Sequence, residues 1–434
     1  MIFNKNKIQF RPVCLAVLTV FFAIPVWSEG RATVQGPPPI TLEIALATAF
    51  VNNPDIRLAK EKVVSANENY REKRAKKYPS FGLEIIYSAA EGPSSEITNY
   101  DQARITVAEP LYAGGAISMA TSRARTGSGM AQKKLGIIAN EVAHSITKSY
   151  YEIVKLEEIQ RFLEGKITDL NGYLAYVKKR QDNRLVLKND VMMVQAGISR
   201  VRQLLIDNQT QLVVSKMDLA SLLGMDMTSP IEVQGVSLSS ETHLENLNFY
   251  LERAQAKRIE LSYAFDEYRF HEGSVAIAKS QKLPLLELTG GYGVSGQNKI
   301  GLERDWNAML TAKMPIWDGG IINSQIGIAK SQLEQSGINN NELRKDIQKE
   351  VLTAYSDAKG FQEKRLLSKE VLDSAIENLR IEKILMNDAE YQTKDILDAQ
   401  NNYIEASISH MTNLYGLATA LAHLEYSTGG DVKP

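Results

Sequence analysis

The apolar positions of this chain keep two different periods, and the switches between them mark its elements. Between 81 and 88 they alternate, with Phe81, Leu83, Ile85 and Tyr87 on one face and Gly82, Glu84 and Ser88 on the other. Around 103–107 Ala103, Ile105 and Val107 oppose Gln102, Arg104 and Thr106. That period of two predicts strands over about 80–90 and 100–109, joined by a polar loop. Past Gly115 the period becomes helical. Val142, Ile146, Tyr150, Ile153, Leu156, Leu163, Ile167, Leu170, Leu174 and Val177 step by three or four residues, with one wider gap near Ile159. A helix over 116–181 is therefore expected, on the order of 100 Å long at ~1.5 Å per residue. A second helix follows over 190–224, and apolar spacing sustained at this length predicts coiled-coil packing.

The same order recurs 205 residues later. Pro110-Leu111-Tyr112-Ala113-Gly114-Gly115 reappears as Pro315-Ile316-Trp317-Asp318-Gly319-Gly320, and the offset also pairs Pro79 with Pro284, Tyr87 with Tyr292 and Asp190 with Asp395. The chain is thus a tandem repeat, and such a period frames every local reading. The second copy should hold strands over 285–295 and 305–314, a long helix over 321–387 and a last helix over 395–426. Each copy opens with a helix, over 41–77 and 244–282, that ends before Pro79 or Pro284. The first repeat then covers 29–226 and the second 247–427, with a Ser/Thr-rich connector at 227–246 and a tail at 428–434. At Pro110 and Pro315 the chain is expected to leave a sheet and begin a helix. Proline removes a donor that has no ladder partner there, and Gly114, Gly115, Gly319 and Gly320 permit the bend.

Composition changes the picture mainly at the N-terminus. Lys5, Lys7 and Arg11 precede an apolar run over 13–26 and a small-residue end at Ser28, the pattern of a secretory signal peptide over 1–28. The run is short for a bilayer-spanning helix. The only cysteine, Cys14, falls within it, so the mature chain has no thiol. Without the signal the chain carries 47 basic against 51 acidic residues, a balance that does not suggest nucleic acid.

Secretion combined with alternating strands of about 10 residues favours an outer-membrane β-barrel, whose apolar band is about 25 Å tall. Four strands cannot close a barrel, and lipid tolerates no open edge. Several chains must then share one barrel. The alternative is a secreted coiled-coil scaffold whose strands form a soluble hairpin domain.

These features resemble the TolC-type outer-membrane efflux proteins, the channels of tripartite export systems. The resemblance runs over 41–426 and rests on the duplicated element order, the two Pro-x-x-x-Gly-Gly segments and Asp395-Ile396-Leu397-Asp398-Ala399-Gln400. It implies a mainly α fold with a transmembrane β-barrel: a homotrimer in the outer membrane, four strands per chain in a 12-stranded barrel, and a helical tunnel in the periplasm. It further implies a passive channel with no catalytic residues or cofactor, working with a periplasmic adaptor and an energised inner-membrane transporter. Asp395 and Asp398 match two acidic gate positions of the family. Spaced i, i+3, they share a helix face, and a threefold axis would gather them into a carboxylate ring. The plain alternative is that acidic residues suit a helix's first turn. In the first half Asp190 is kept, but Met193 stands where a second aspartate would be. Tyr391 and Met386 fall where some members carry a basic and an aromatic gate residue, so that salt bridge does not carry over. Leu185 and Val186, in an apolar tip at 183–188, would be adaptor contacts.

Other motifs point nowhere. Gly291-Tyr292-Gly293-Val294-Ser295-Gly296 fits a dinucleotide-binding pattern, but a strand follows it in place of the helix a phosphate needs. His144, His243, His271, His410 and His423 show no metal-ligand spacing.

Overall fold

The computed structural model describes residues 39–91, 97–236, 238, 243–297, 300–386 and 392–430. The signal sequence and Tyr391 lie outside them. The first repeat runs α1 (Leu42–Asn52), α2 (Pro54–Ala75), β1 (Ser80–Glu91), β2 (Ile97–Ala113), α3 (Ala116–Asp182) and α4 (Lys188–Leu222). The second runs α5 (Leu247–Lys257), α6 (Ile259–Ser280), β3 (Leu285–Gln297), β4 (Ile300–Lys313), α7 (Ile321–Leu385) and α8 (Thr393–Ser427).

The opening helix of each repeat, expected to run on with a bend at Pro54 in the first, is broken in both. Asn53 ends α1 and caps α2, its Oδ1 accepting from the N–H of Asp55 at 2.9 Å and Ile56 at 3.1 Å. Its Nδ2 donates 2.8 Å to the Leu222 carbonyl at the end of α4. Arg258, 205 residues on, holds the equivalent break with no proline beside it, and its Nη1 donates 3.1 Å to the Ser427 carbonyl at the end of α8. Both junctions thus tie the start of a repeat to its finish. A glycine follows each time, Gly224 at φ 67° and Gly429 at φ 72°, and a Cβ there would strike the Asn52 carbonyl or the Lys257 backbone.

The four strands form one antiparallel sheet in the order β1-β2-β3-β4, so the repeats join through β2 and β3. Beneath the strands, helix neighbours keep that order: α2 lies beside α3, α3 beside α6, and α6 beside α7. Further along, α4 packs on α3, α3 on α8, and α8 on α7. The chain is therefore one wall with two free edges. Its cores are strips between helices, one of them built on Ile146, Tyr150, Ile153 and Leu219 and another on Leu163, Val177, Val194 and Ile396.

The two proline segments differ from expectation. Pro110 sits inside β2, which continues to Ala113, beside a bulge between Pro110 and Tyr112. The β1 ladder has already ended, at the Ser80–Ala108 pair, and a bulge past a ladder's end is where a strand tolerates proline. Pro315 lies beyond β4 altogether. The four glycines do make the bend, with φ of 57° and 81° at Gly114 and Gly115 and 67° and 93° at Gly319 and Gly320.

Candidate functional site

No described helix is long and apolar enough to cross a membrane. The sheet is different. Register places Phe81, Leu83, Ile85, Ala103, Ile105, Val107, Leu288, Tyr292, Val294, Trp306 and Leu310 on one face, with Asp101 and Arg304 toward its hairpin ends. Glu84, Gln102, Arg104, Thr106, Thr289, Ser295, Asp305 and Asn307 occupy the other. The apolar face is bare: Phe81 and Trp306 are each 76 % exposed. Exposed aromatic and branched side chains along a strand face suit hydrocarbon, and the polar face suits water.

The edges of the wall are also bare. Among the described residues no large apolar side chain of the central helices α3 and α8 is exposed. On the edge helix α7, by contrast, Ile328, Leu352, Leu367, Val371, Ile381 and Ile384 are open, and on the opposite edge so are Leu58 and Val64 of α2 and Ile206 and Val213 of α4.

At the far end of the helices, Arg184 with φ 59° turns α3 into α4. Leu185 and Leu187 stand 64 % and 74 % exposed, whereas Val186 packs against the neighbouring core strip. Of the two expected contacts only Leu185 faces out, and Leu187, which the sequence did not single out, joins it. Asp190 acts locally. Its Oδ2 accepts from the Leu187 N–H at 2.8 Å, capping α4. Asp395 and Asp398 both point to solvent from the first turns of α8. Asp395 and Asp190, equivalent in sequence, therefore differ in surroundings.

One contact at this end had no signal in the sequence. Near the end of α3, Arg180 Nη1 donates 3.1 Å to the Met386 carbonyl that closes α7, and the Tyr176 hydroxyl donates to the same oxygen at 3.3 Å. Arg180 also donates 3.0 Å to the Tyr176 oxygen. Since Met386 offers its backbone, its side-chain identity reveals nothing. Tyr176 and Arg180 lie i, i+4 on one face of α3, which lets both reach the same oxygen.

At the other end, the barrel-side junctions differ too. Asp318 accepts from the N–H of Gly320 at 2.9 Å and Ile322 at 2.7 Å, which holds its carboxyl below the usual range and starts α7. Ala113 stands at the equivalent position, so α3 begins at Gly115 without a side-chain cap.

A two-fold repeat of paired helices around a bare-faced, four-stranded sheet is a specific architecture. The profile of the outer membrane efflux protein family matches residues 45–225 and 250–430, one match per repeat. The chain belongs to the outer membrane efflux protein family. Protein CyaE of Bordetella pertussis is 22 % identical over 353 residues, 77 % of this chain and 74 % of that one. Outer membrane protein TolC of Vibrio cholerae is 20 % identical over 302 residues, 66 % of this chain and 69 % of that one. The fold is shared with the CmeC outer membrane channel of Campylobacter jejuni, at a TM-score of 0.82 and 16 % identity over 90 % of this chain and 85 % of that one. This efflux-family chain is accordingly an outer-membrane exit duct for efflux or secretion, with its sheet in the membrane and its helices extending from it.

Proposed function

We propose that three copies of this chain close one passive channel, fed by a periplasmic adaptor and an energised inner-membrane transporter, with no catalytic chemistry of its own. The observation that carries this reading is the pair of free edges. β1 and β4 each have one unpaired side, and an unpaired strand edge in hydrocarbon costs several kcal/mol per orphaned group. A second copy placed head to tail offers β1 to β4, and the same step sets the apolar residues of α7 against those of α2 and α4. Such a heterologous contact closes into a ring. Three copies supply twelve strands.

The gate belongs at the tip opposite the sheet. Asp395 and Asp398, exposed on one face of α8, would form the carboxylate ring on the threefold axis, with Tyr391 four residues before Asp395 and Asp190 its equivalent in the first repeat. Arg180 and Tyr176 act as the latch, pinning the end of α7 to α3 in each chain. The exposed Leu185 and Leu187 form the adaptor contact, with Val186 anchoring the turn beneath them. A scaffold without channel activity would have no use for a bare apolar sheet face. The subunit count of the detergent-extracted particle, by light scattering corrected for bound detergent, tests the reading. Three copies are expected; a monomer that dissolves in plain buffer would refute it.

A further inference from the structure

One row on the polar face of the sheet joins charges across all four strands, with Glu287, Glu303 and Lys313 in other rows of the same face. Glu84 on β1, Arg104 on β2, Gly293 on β3 and Asp305 on β4 are successive partners across the four strands. Arg104 has Glu84 as its direct neighbour, yet its guanidinium crosses the other way, over β3, and pairs with Asp305 at 2.6 Å. Gly291 allows the crossing, and Gly293 the close approach of the β2 backbone. A Cβ on Gly291 would lie 2.7 Å from both Arg104 Cδ and Asn307 Oδ1, and a Cβ on Gly293 would collide with the Ala103 carbonyl oxygen and lie 2.8 Å from Arg104 Cα. The guanidinium is satisfied along the way. Nη1 donates 3.2 Å to Asn307 Oδ1, and the Gln102 amide oxygen, in the orientation that suits both its ends, accepts from Nε at 3.2 Å. The Ser295 hydroxyl donates to Asp305 Oδ2 at 3.3 Å. The Arg104 side chain is only 18 % exposed as a result, although no described helix packs broadly on the sheet. It lies flat against the wall. The glycine pattern that mimics a nucleotide motif is thus a trough for an arginine.

We infer that this inlaid Arg104–Asp305 pair sets the bore and the ionic preference of the barrel lumen. The inference rests on reading the polar face as the lumen of a closed trimeric barrel. With Arg104 neutralised and folded down, the row presents the exposed Glu84 to passing solutes, so the lumen favours cations and stays wide. Released from Asp305, three arginines per barrel would reach into the water column, narrow it and repel cations.

The test is reversal potential and single-channel conductance of the purified full-length protein in planar bilayers under a KCl gradient, each variant compared with its parent both with the tip carboxylates and in the Asp395→Ala/Asp398→Ala background, so that the tip does not set the reading. Asp305→Asn should shift the cation-to-anion permeability ratio toward chloride by on the order of threefold. Arg104→Gln should move it toward potassium, and the double variant should return near the wild-type ratio. Gly291→Ala changes no charge and meets only side-chain atoms; by lifting Arg104 off the wall it should lower conductance. Channels in which Asp305→Asn and Arg104→Gln keep the wild-type reversal potential, or Gly291→Ala the wild-type conductance, overturn the inference while leaving the channel reading intact. Wild-type protein that forms no channel at all would instead defeat the channel reading on which it rests.

Discussion

The latch between α3 and α7 can be weighed and broken. Two donors converge on the Met386 carbonyl, the Arg180 guanidinium at 3.1 Å and the Tyr176 hydroxyl at 3.3 Å. A hydrogen bond from a charged donor contributes about 1.5–3 kcal/mol, and one from a neutral hydroxyl about 0.5–1.5 kcal/mol. Both groups are part-buried, and water replaces some of what is lost when the end of α7 swings free, so the low end of each range applies. Arg180→Ala should then favour the released state by about 1.5 kcal/mol per chain, roughly tenfold in its population. Tyr176→Phe should act in the same direction with an effect of about twofold to threefold. Single-channel conductance and its open-time distribution in planar bilayers read the effect directly. Sensitivity of cells to a large hydrophilic antibiotic gives a second readout. Arg180→Lys keeps the charge but loses the fork, and should fall between wild type and Arg180→Ala. If Arg180→Ala inserts normally and shows wild-type opening statistics, the contact is a packing detail and the latch does not exist.

Replacing Asp395 and Asp398 together with Ala should raise conductance or antibiotic sensitivity; wild-type values for both would remove the carboxylate ring. The repeat symmetry predicts matched costs for Gly224→Ala and Gly429→Ala. Each places a Cβ against backbone at positive φ, so each should destabilise by about 2 kcal/mol or more in thermal unfolding, and a neutral result at either would contradict the geometry. His144 stacks on Tyr426 with ring centroids 4.7 Å apart and faces His423 at 5.1 Å, Lys148 on its own helix, and Gln211, Ser215 and Asp218 of α4. Burial, aided by His423 and Lys148, pushes its pKa down to about 4. Because the folded value lies below the ordinary 6.5, the neutral ring's contribution is complete above pH 6.5 and is lost as pH falls toward 4. His144→Gln should flatten the fall in melting temperature across that window; an unchanged pH profile would assign the loss to other groups.

Much of the fold was legible because periodicity is local. Alternation at 81–87 and 103–107 falls on strands, and the three-and-four stepping from Val142 to Val177 falls within α3. Elements escape the pattern where a distant partner decides. The break at Arg258 has no proline or glycine to announce it, since its cause is the Ser427 carbonyl 169 residues away. Pro110 reads as the end of its strand, but β3 supplies a ladder that carries β2 on to Ala113. In the tip, composition marks 183–188 as an apolar turn, yet only the φ of Arg184 decides that Leu185 and Leu187 face out and Val186 in.

The sequence by itself determined the element order, its duplication and the apolar face of each strand. Those follow from side-chain pattern. Tertiary structure alone decided the contact of Arg180 with the Met386 carbonyl, the Asn53 and Arg258 ties, the capping role of Asp190 and the path of Arg104 over Gly291. Each of these is a bond to a backbone atom or to a residue two strands away. Backbone carbonyls are the same at every position, and cross-strand reach depends on register, so neither leaves a mark in the order of residues.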